Sequence, residues 1–355
     1  MIDRMPRAVV VAPPSAGSSR RSSRRLAPPA VLAGALGLLA LVAVAGLAIG
    51  TRQVPLDVVF GAFAAPVPGD ADHVVVRDLR LPRAVIGMAA GAAFGVVAAL
   101  LQGATRNPLA DPGLLGINAG ASLAVVAAIA FLGVASPFGF IWFAFGGAAL
   151  AAAIVFAIGS TGGAGATPAK LALTGAALAA ATTPLITLLL IRDEGTLSQY
   201  RFWSVGSLSG RGLDTVAVLW PFLVVGLVLA GWLAARLNLL ALGDDVARGL
   251  GVRLGTTRVV TAVAVIVLAG TATSLAGPIA LLGLAVAHAA RGLVGGDYRW
   301  IVPLSGILGG IVLLASDIIG RVVVAPAELE AGIVAAIVGA PVLIALVRRT
   351  RGAAL

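Results

Sequence analysis

Long apolar stretches without a charged residue constrain this chain more than any other feature. Two of them are Ala30–Gly50, with 21 residues, and Pro112–Ala169, with 58 residues. A helix needs about 20 residues to cross the hydrocarbon core of a bilayer, so the first stretch predicts one crossing. The second predicts a hairpin of two helices, with the break near Ser136-Pro137-Phe138-Gly139. The other charge-free stretches are Ala84–Thr105, Leu171–Ile191, Thr215–Ala235, Val259–Ala290, Trp300–Ser316 and Ala331–Val347.

The small number of charged residues excludes a soluble globular domain. Charged residues make up 11% of the chain and hydrophobic residues 59%, whereas a soluble domain carries roughly 25% charged residues on a surface that faces water. Helices satisfy their own backbone hydrogen bonds in lipid. We therefore predict an all-α integral membrane protein. Its 46 glycines are typical of helices that pack closely in a bilayer.

The distribution of basic residues predicts the number of helices and their orientation. Val259–Ala290 can form one long tilted helix or two helices broken near Gly277-Pro278, because proline lacks the N–H that a helix needs. With two helices the chain has about ten transmembrane helices and both termini are cytoplasmic. The cytoplasmic segments then hold 17 of the 25 basic residues and only five of the 15 acidic ones. A single helix would move the C-terminal arginines outside, against the positive-inside bias.

The first residues differ in composition from the rest. We predict a flexible basic cytoplasmic arm at residues 1–29, next to anionic lipid, followed by a transmembrane domain at 30–355. The alternative is that the arginines of this arm serve only to hold the N-terminus inside. A secretory or twin-arginine signal is a further alternative, but the length of Ala30–Gly50 and the spans that follow favour an uncleaved first helix. The net charge of +10 is scattered between spans, so nucleic acid is not an expected partner.

No arrangement of residues predicts catalysis or a metal site. The glycine-rich stretch 159–167 lacks the Gly-Lys-Ser/Thr ending of a phosphate-binding loop. His73 and His288 are the only histidines, and neither lies in a cluster with metal-ligand spacing. The chain also has no cysteine. We expect no enzymatic activity, no bound metal and no cofactor on this chain. The helix centres almost lack charge, whereas carriers driven by protons or sodium ions usually keep charged residues at membrane depth. A transporter with this sequence would therefore need its energy from a partner.

One connecting segment, Leu242–Val252, predicts a short cytoplasmic helix. Asp244 and Asp245 suit the positive N-terminal end of such a helix, and Gly251 can stop it. Val246 and Leu250 lie four residues apart on one side, where they could insert into a groove of a cytoplasmic partner. The alternative is an ordinary interfacial helix packed against lipid headgroups.

Several motifs occur in order along the chain. The chain resembles the FecCD/BtuC-like permeases, the membrane subunits of bacterial importers for iron–siderophores, haem and vitamin B12. The longer motifs are Arg80-Leu-Pro-Arg83, Asn107-Pro-Leu-Ala-Asp-Pro-Gly-Leu-Leu-Gly116, Leu242-Gly-Asp-Asp-Val-Ala-Arg-Gly-Leu-Gly251 and Gly277-Pro-Ile-Ala-Leu-Leu-Gly-Leu284. Shorter matches are Gly120-Ala121, His288 with Arg291, Asp317 with Arg321, and Gly339-Ala-Pro341.

The resemblance implies a BtuC-like permease fold in a bacterial cytoplasmic membrane. It implies an importer (ABC type) that moves a metal chelate such as an iron–siderophore, or haem or vitamin B12, by alternating access. The expected partners are a second permease subunit, two cytoplasmic ATPase subunits that bind ATP and magnesium, and an extracytoplasmic substrate-binding protein. The second permease could be an identical or a different chain.

The resemblance also implies roles for particular residues. Arg80, Arg83 and Arg321 would pair with acids of the binding protein; snorkelling at the outer headgroups is the alternative. The translocation path or inner-turn motif would comprise Gln102, Asn107, Pro108, Pro112 and Gly116. The coupling helix, at about 242–252, would dock on the ATPase through Leu242, Gly243, Asp244, Asp245, Ala247, Arg248, Leu250 and Gly251.

Two other functions remain open from the residues alone. A self-contained secondary transporter driven by an ion gradient would need an ion site at membrane depth, and the sequence shows none. A membrane anchor for a cytoplasmic ATPase, without transport, would need neither outer docking arginines nor a central path.

Overall fold

Helices form almost all of the chain that the structure describes. The structure is a computed structural model that describes residues 27–113, 116–159, 161 and 168–352. Most of the predicted basic arm at 1–29, and most of the glycine-rich stretch at 159–167, lie outside the described residues. The N-terminal half of the described chain contains α1 (Pro28–Ala48), α2 (Leu56–Ala64), α3 (Ala71–Val74), a π-helical turn (Val75–Arg80), α4 (Leu81–Thr105), α5 (Ile117–Leu132), α6 (Pro137–Gly159) and α7 (Pro168–Arg192).

The second half continues in the same way. Two short helices interrupt a series of long ones: α8 follows α7 almost directly, and α10 lies in the connection after α9. The elements are α8 (Glu194–Ser204), α9 (Leu213–Ala241), α10 (Asp244–Gly249), α11 (Leu254–Ala276), α12 (Leu282–Val294), α13 (Tyr298–Val323) and α14 (Ala331–Gly352).

Many of these helices have the length and composition of membrane spans. Within the described residues, seven helical stretches are long and apolar enough to cross a membrane, and three shorter helices are also apolar. The protein is therefore a multi-pass integral membrane protein. The seven are Pro28–Ala48, Ala71–Thr105, Phe138–Gly159, Lys170–Arg192, Leu213–Ala241, Leu254–Ala276 and Tyr298–Val323, and the three are Ile117–Leu132, Leu282–Val294 and Ala331–Pro341.

The helix breaks fall where the sequence predicts them. The long apolar stretch 259–290 divides because α11 ends at Ala276 and α12 begins only at Leu282. Pro278 lies in this gap and cannot donate the backbone hydrogen bond that would continue α11. The stretch 112–169 likewise divides between Leu132 and Pro137. Both predicted breaks are confirmed, while the total of ten transmembrane helices stays a prediction.

Helix α4 forms the centre of the bundle. It packs against α13, α11, α9 and α12, and most of its residues are buried. Helices α1 and α7 lie at the periphery, where most of their apolar residues face outward. This arrangement places a helix rich in glycine and alanine inside and leaves apolar surface toward lipid, as a membrane protein requires.

Glycines allow α4 and α13 to approach each other closely. A Cβ atom on Gly91 would lie 2.3 Å from the carbonyl oxygen of Gly309, and a Cβ on Gly309 would lie 2.0 Å from that of Gly91. No side chain fits at either distance. Because lipid tails solvate apolar side chains as well as a protein interior does, close backbone packing of this kind is a main source of helix association in membranes.

The two ends of the bundle carry different residues. Helix α10 and the turn between α4 and α5 lie at one end, which we call the inner end, following the predicted orientation. The starts of α4, α9 and α14 lie at the opposite, outer end. The predicted site residues divide between these ends.

Candidate functional site

Helix α10 and the residues that flank it present three apolar side chains outward at the inner end. Leu242, Val246 and Leu250 are 61%, 49% and 57% exposed, whereas Ala247 is fully buried against the bundle. The helix runs from Asp244 to Gly249 and is thus shorter than the predicted segment 242–252. Its exposed apolar face confirms that Val246 and Leu250 share one side.

Glycines set both ends of α10. Gly243 and Gly251 have φ angles of +108° and +84°, a region that residues with a Cβ rarely adopt. After the last turn, the N–H of Gly251 donates to the carbonyl of Arg248 and that of Val252 donates to the carbonyl of Ala247, each at 2.9 Å. This left-handed ending confirms that Gly251 stops the helix.

Asp244 fixes α10 to the ends of two other helices. Its Oδ1 pairs with Arg106, at the end of α4, and its Oδ2 lies 2.7 Å from Nη2 of Arg258, in the first turns of α11. Asp245 and Arg248 form a separate, solvent-exposed pair on α10 itself, at 2.6 Å. Asp244 therefore holds α10 against α4 and α11, whereas Asp245 and Arg248 face outward.

Side chains that accept hydrogen bonds from backbone N–H groups order the inner turn between α4 and α5. Asn107 accepts from the N–H of Leu109 at 2.9 Å, and Asp111 accepts from the N–H of Gly113 at 2.8 Å. Such bonds from Asn and Asp side chains to the backbone two residues on are typical of tight turns. Between them, the turn residues of the predicted motif set the path of the chain from α4 into α5.

The other residues predicted for the path or inner turn lie in different surroundings. Gln102 is buried within α4, and neither of its side-chain polar atoms has a hydrogen-bond partner among the described residues. Pro108 is exposed, Pro112 is buried, and Gly116 begins α5 with a φ of +70°. Their role in a translocation path stays a prediction.

Burial of Asp111 makes stability depend on pH. Burial raises the pKa of Asp111 to about 6 from a usual value of 3.8, while the N–H of Gly113 acts in the opposite direction. The carboxyl group of Asp111 thus binds its proton more tightly in the folded protein than in the unfolded chain. The resulting stabilisation is complete below pH 3.8 and is lost as pH rises through about 6.

We expect Asp111→Asn to flatten this pH dependence. Asparagine keeps an acceptor for Gly113 but never carries the buried charge, so the variant should match the wild type near pH 4. It should be more stable by up to roughly 3 kcal/mol above pH 7. Thermal unfolding in detergent between pH 4 and 8 measures this difference, with the exposed Asp57→Asn as control. An Asp111→Asn profile parallel to that of the wild type would contradict the assignment.

At the outer end, two predicted docking arginines cap helix α1 instead of facing outward. Nη1 of Arg80 donates to the carbonyls of Leu47 and Ala48 at 2.7 and 2.8 Å, and Nη1 of Arg321 donates to that of Gly46 at 3.0 Å. Both arginines are buried. The last carbonyls of a helix have no partner within the helix and carry partial negative charge, so cations stabilise this end.

A buried carboxylate joins two of the arginines. The Oδ1 of Asp317 lies 2.7 Å from Nη2 of Arg83, and its Oδ2 lies 3.1 Å from Nη2 of Arg321. Arg83 also pairs with Glu328 at 2.8 Å. Asp317 and Arg321 lie four residues apart on α13, a spacing at which side chains of one helix meet. We call Arg83, Asp317, Arg321 and Glu328 the outer ion cluster.

The outer ion cluster shows what sequence reasoning missed. Glu328 lies 245 residues from Arg83, and no local pattern links the two. The same holds for Arg106 and Asp244, which are 138 residues apart. The predicted docking of Arg80, Arg83 and Arg321 to a binding protein stays a prediction. Of the three, Arg83 has the most accessible side chain, at 14%.

Comparisons with known proteins agree with this architecture. The model of the FecCD transport family matches residues 38–349. The chain is 45% identical to the ferric enterobactin transport system permease protein FepD of Escherichia coli over 323 residues, covering 90% of this chain and 96% of the relative. It is 42% identical to the probable siderophore transport system permease protein YfiZ of Bacillus subtilis over 281 residues, covering 79% and 84%.

A solved structure supports the same conclusion. It is described as an inward-facing conformation of a metal-chelate type ABC transporter, and it superimposes with a TM-score of 0.79 at 27% sequence identity. The match covers 90% of this chain and 99% of the other. This chain therefore belongs to the FecCD transport family and is a permease subunit of an ABC importer, with ATP hydrolysis on a separate subunit.

Proposed function

We propose that this permease imports a ferric siderophore or related iron chelate across the cytoplasmic membrane of a bacterium. The names of the relatives above give ferric enterobactin and siderophores as their cargo, and the solved structure is described as a metal-chelate transporter. The iron chelate is the cargo, and the chain itself contributes no catalytic group. Access to the path would alternate between the two sides as the partner ATPase binds and hydrolyses ATP.

The complete importer would contain a second permease subunit, identical or different, two ATPase subunits that carry ATP and magnesium, and an external binding protein. The observation that carries this proposal is the outward apolar face of α10, with Leu242, Val246 and Leu250, on a helix that Asp244 holds against Arg106 and Arg258. Because α10 is tied to α4 and α11, a displacement of α10 by the ATPase would be passed to the central helices.

The ten-helix topology belongs to the same proposal. Seven long and three shorter apolar helices within the described residues support ten crossings. With an even number of crossings both termini lie on one side, and the positive-inside bias assigns that side to the cytoplasm. The binding protein would then dock at the outer end, near Arg83 and Glu328.

Charging the apolar face of α10 should disrupt the contact with the ATPase subunit. The double variant Val246→Asp plus Leu250→Asp places two carboxylates where the ATPase groove would desolvate them, which is costly. We expect loss of ATPase co-purification and at least a 10-fold drop in ATP hydrolysis stimulated by the loaded binding protein. Helix folding should be intact, because both side chains are exposed.

The matched control is Leu293→Asp, an exposed leucine near the same end of the bundle but outside α10. It should leave co-purification and stimulated hydrolysis close to wild type. An α10 double variant that retains both properties would exclude α10 as the coupling helix. Iron uptake that stops when the proton gradient is collapsed, while ATP is maintained, would instead favour a secondary transporter.

A further inference from the structure

A cavity of about 270 Å³ lies at the outer end of the bundle, between the start of α6 and the segment that joins α8 to α9. We call it the Arg211 cavity. Helix α9 begins directly after it and leads, over 29 residues, to α10. At 1.5 Å per residue the cavity is therefore about 43 Å from the proposed ATPase contact. Its lining includes Phe140, Gln199, Trp203, Ser207, Ser209 and Arg211.

The guanidinium of Arg211 is the charged group of this cavity. Nη1 donates to the carbonyl of Leu275, near the end of α11. Among the residues that the structure describes, no carboxylate forms an ion pair with Arg211. Burial lowers the pKa of Arg211 to about 10, and no nearby acid opposes that effect. Arg211 is half-buried, and a partly desolvated cation without an anionic partner favours a ligand with negatively charged oxygens.

Aromatic side chains form the apolar walls of the cavity. Trp203 and Phe140 are only 4% and 7% exposed, so their rings are held by the surrounding helices. The segment that carries the cavity is fixed as well, since the N–H of Gly332 donates to the carbonyl of Gly206 at 2.9 Å. Rigid aromatic rings favour offset or edge-to-face contact with a flat ring.

Polar side chains complete the cavity beside these rings. The hydroxyl of Ser207 accepts from the N–H of Ser209 at 3.2 Å, so it can still donate its own proton. The amide of Gln199 and the hydroxyl of Ser209 can also donate. Together with the guanidinium they give several hydrogen-bond donors in a cavity that also has aromatic walls, which suits a ligand that combines an aromatic ring with oxygen atoms.

We propose that the Arg211 cavity binds one aryl-oxygen arm of the cargo, a planar aromatic ring with anionic oxygens as in catecholate or salicylate chelators. This inference rests on the proposed function in iron-chelate import and narrows the class of chelate. The volume is slightly below the range of about 300–1,000 Å³ for sites that enclose drug-sized ligands. It admits one ring of a chelate, with the metal and the other arms outside.

Direct binding tests the proposal. The full chain in lipid nanodiscs is titrated calorimetrically with the gallium(III) triscatecholate complex and, separately, with gallium(III) citrate, which has carboxylates but no ring. We expect the triscatecholate to bind at least 10-fold more tightly than the citrate. Arg211→Gln should weaken triscatecholate binding roughly 10- to 100-fold, because it removes charge-assisted hydrogen bonds.

Two further variants keep the test decisive. Arg77→Gln removes the same charge from an exposed position in the π-helical turn at the outer end and should leave the affinity unchanged. Arg211→Lys keeps the positive charge but loses the planar guanidinium with its fixed set of N–H donors. If Arg211→Gln fails to fold, Arg211→Lys should still weaken triscatecholate binding about 10-fold. Unchanged affinity in the Arg211 variant, equal affinity for citrate, or no binding of triscatecholate by the wild type would each overturn the proposal.

Failure of this inference is separable from failure of the proposed function. Wild-type triscatecholate affinity in Arg211→Gln, together with normal stimulation of the ATPase by a loaded binding protein, would reject the cavity alone. Absence of ATPase coupling with intact Arg211-dependent binding would reject the proposed function alone.

Discussion

Asp317→Asn is expected to destabilise the folded protein by roughly 3–5 kcal/mol, the cost of removing one partner from a buried ion pair. Asp317 is 2% exposed and places one carboxylate oxygen on Arg83 and the other on Arg321. Asparagine keeps the shape but removes the charge. Arg83 retains Glu328 as a partner, whereas Arg321 stays buried without a carboxylate.

Unfolding in mixed detergent micelles measures this loss of stability. The matched control is Asp78→Asn, at an exposed position in the π-helical turn at the same end of the bundle. Its stability should lie within about 0.5 kcal/mol of the wild type. A second substitution should identify the cause. If the unpaired Arg321 is responsible, Arg321→Gln in the Asp317→Asn background should restore part of the lost stability. Equal stability of Asp317→Asn and Asp78→Asn would contradict the role assigned to the outer ion cluster.

The second large effect is expected for Gly309→Val. The added Cβ would lie 2.0 Å from the carbonyl oxygen of Gly91, and a backbone carbonyl within a helix cannot move aside as a flexible side chain can. Helices α4 and α13 would have to separate along the most extensive contact of the bundle. We expect a loss of at least about 3 kcal/mol, at the upper end of the cost of overpacking, seen as reduced thermal stability in nanodiscs.

Gly37→Val is the control for Gly309→Val, because a Cβ on Gly37 would meet no atom within 4 Å. This substitution on the peripheral helix α1 should change stability by less than about 0.5 kcal/mol. The comparison separates close helix packing from any general intolerance of valine in these helices. Comparable losses in both variants would show that the contact between Gly91 and Gly309 is not the cause.

The secondary structure was largely predictable from the sequence, because the relevant forces are local. Lipid requires each span to satisfy its own backbone hydrogen bonds and to present apolar side chains, so a charge-free stretch of sufficient length already defines a helix. The break at Pro278 and the stop at Gly251 follow from backbone chemistry of single residues. Hence the predicted breaks and the short helix α10 agree with the structure, although α10 is shorter than predicted.

The surroundings of the site residues were less predictable. Sequence reasoning places Arg80, Arg83 and Arg321 at the outer end but gives no information on burial. The carbonyls at the end of α1 bind Arg80 and Arg321 only because α1 packs beside them, and Gly46 lies 275 residues from Arg321. Likewise, nothing near Arg211 in the sequence indicates a cavity, because Phe140 lines the cavity from α6 and the carbonyl that binds Arg211 belongs to Leu275 of α11.

The sequence by itself determined that this chain spans a membrane many times, where its helices break and which family it resembles, since hydrophobicity, proline and motif spacing act over short distances. Only the tertiary structure decided which charges are buried and what they bind. Asp244 between Arg106 and Arg258, and Asp317 between Arg83 and Arg321, depend on helices brought together from distant parts of the chain. A charge removed from water needs an ionic or hydrogen-bond partner, and the packing of the helices determines which partner it meets.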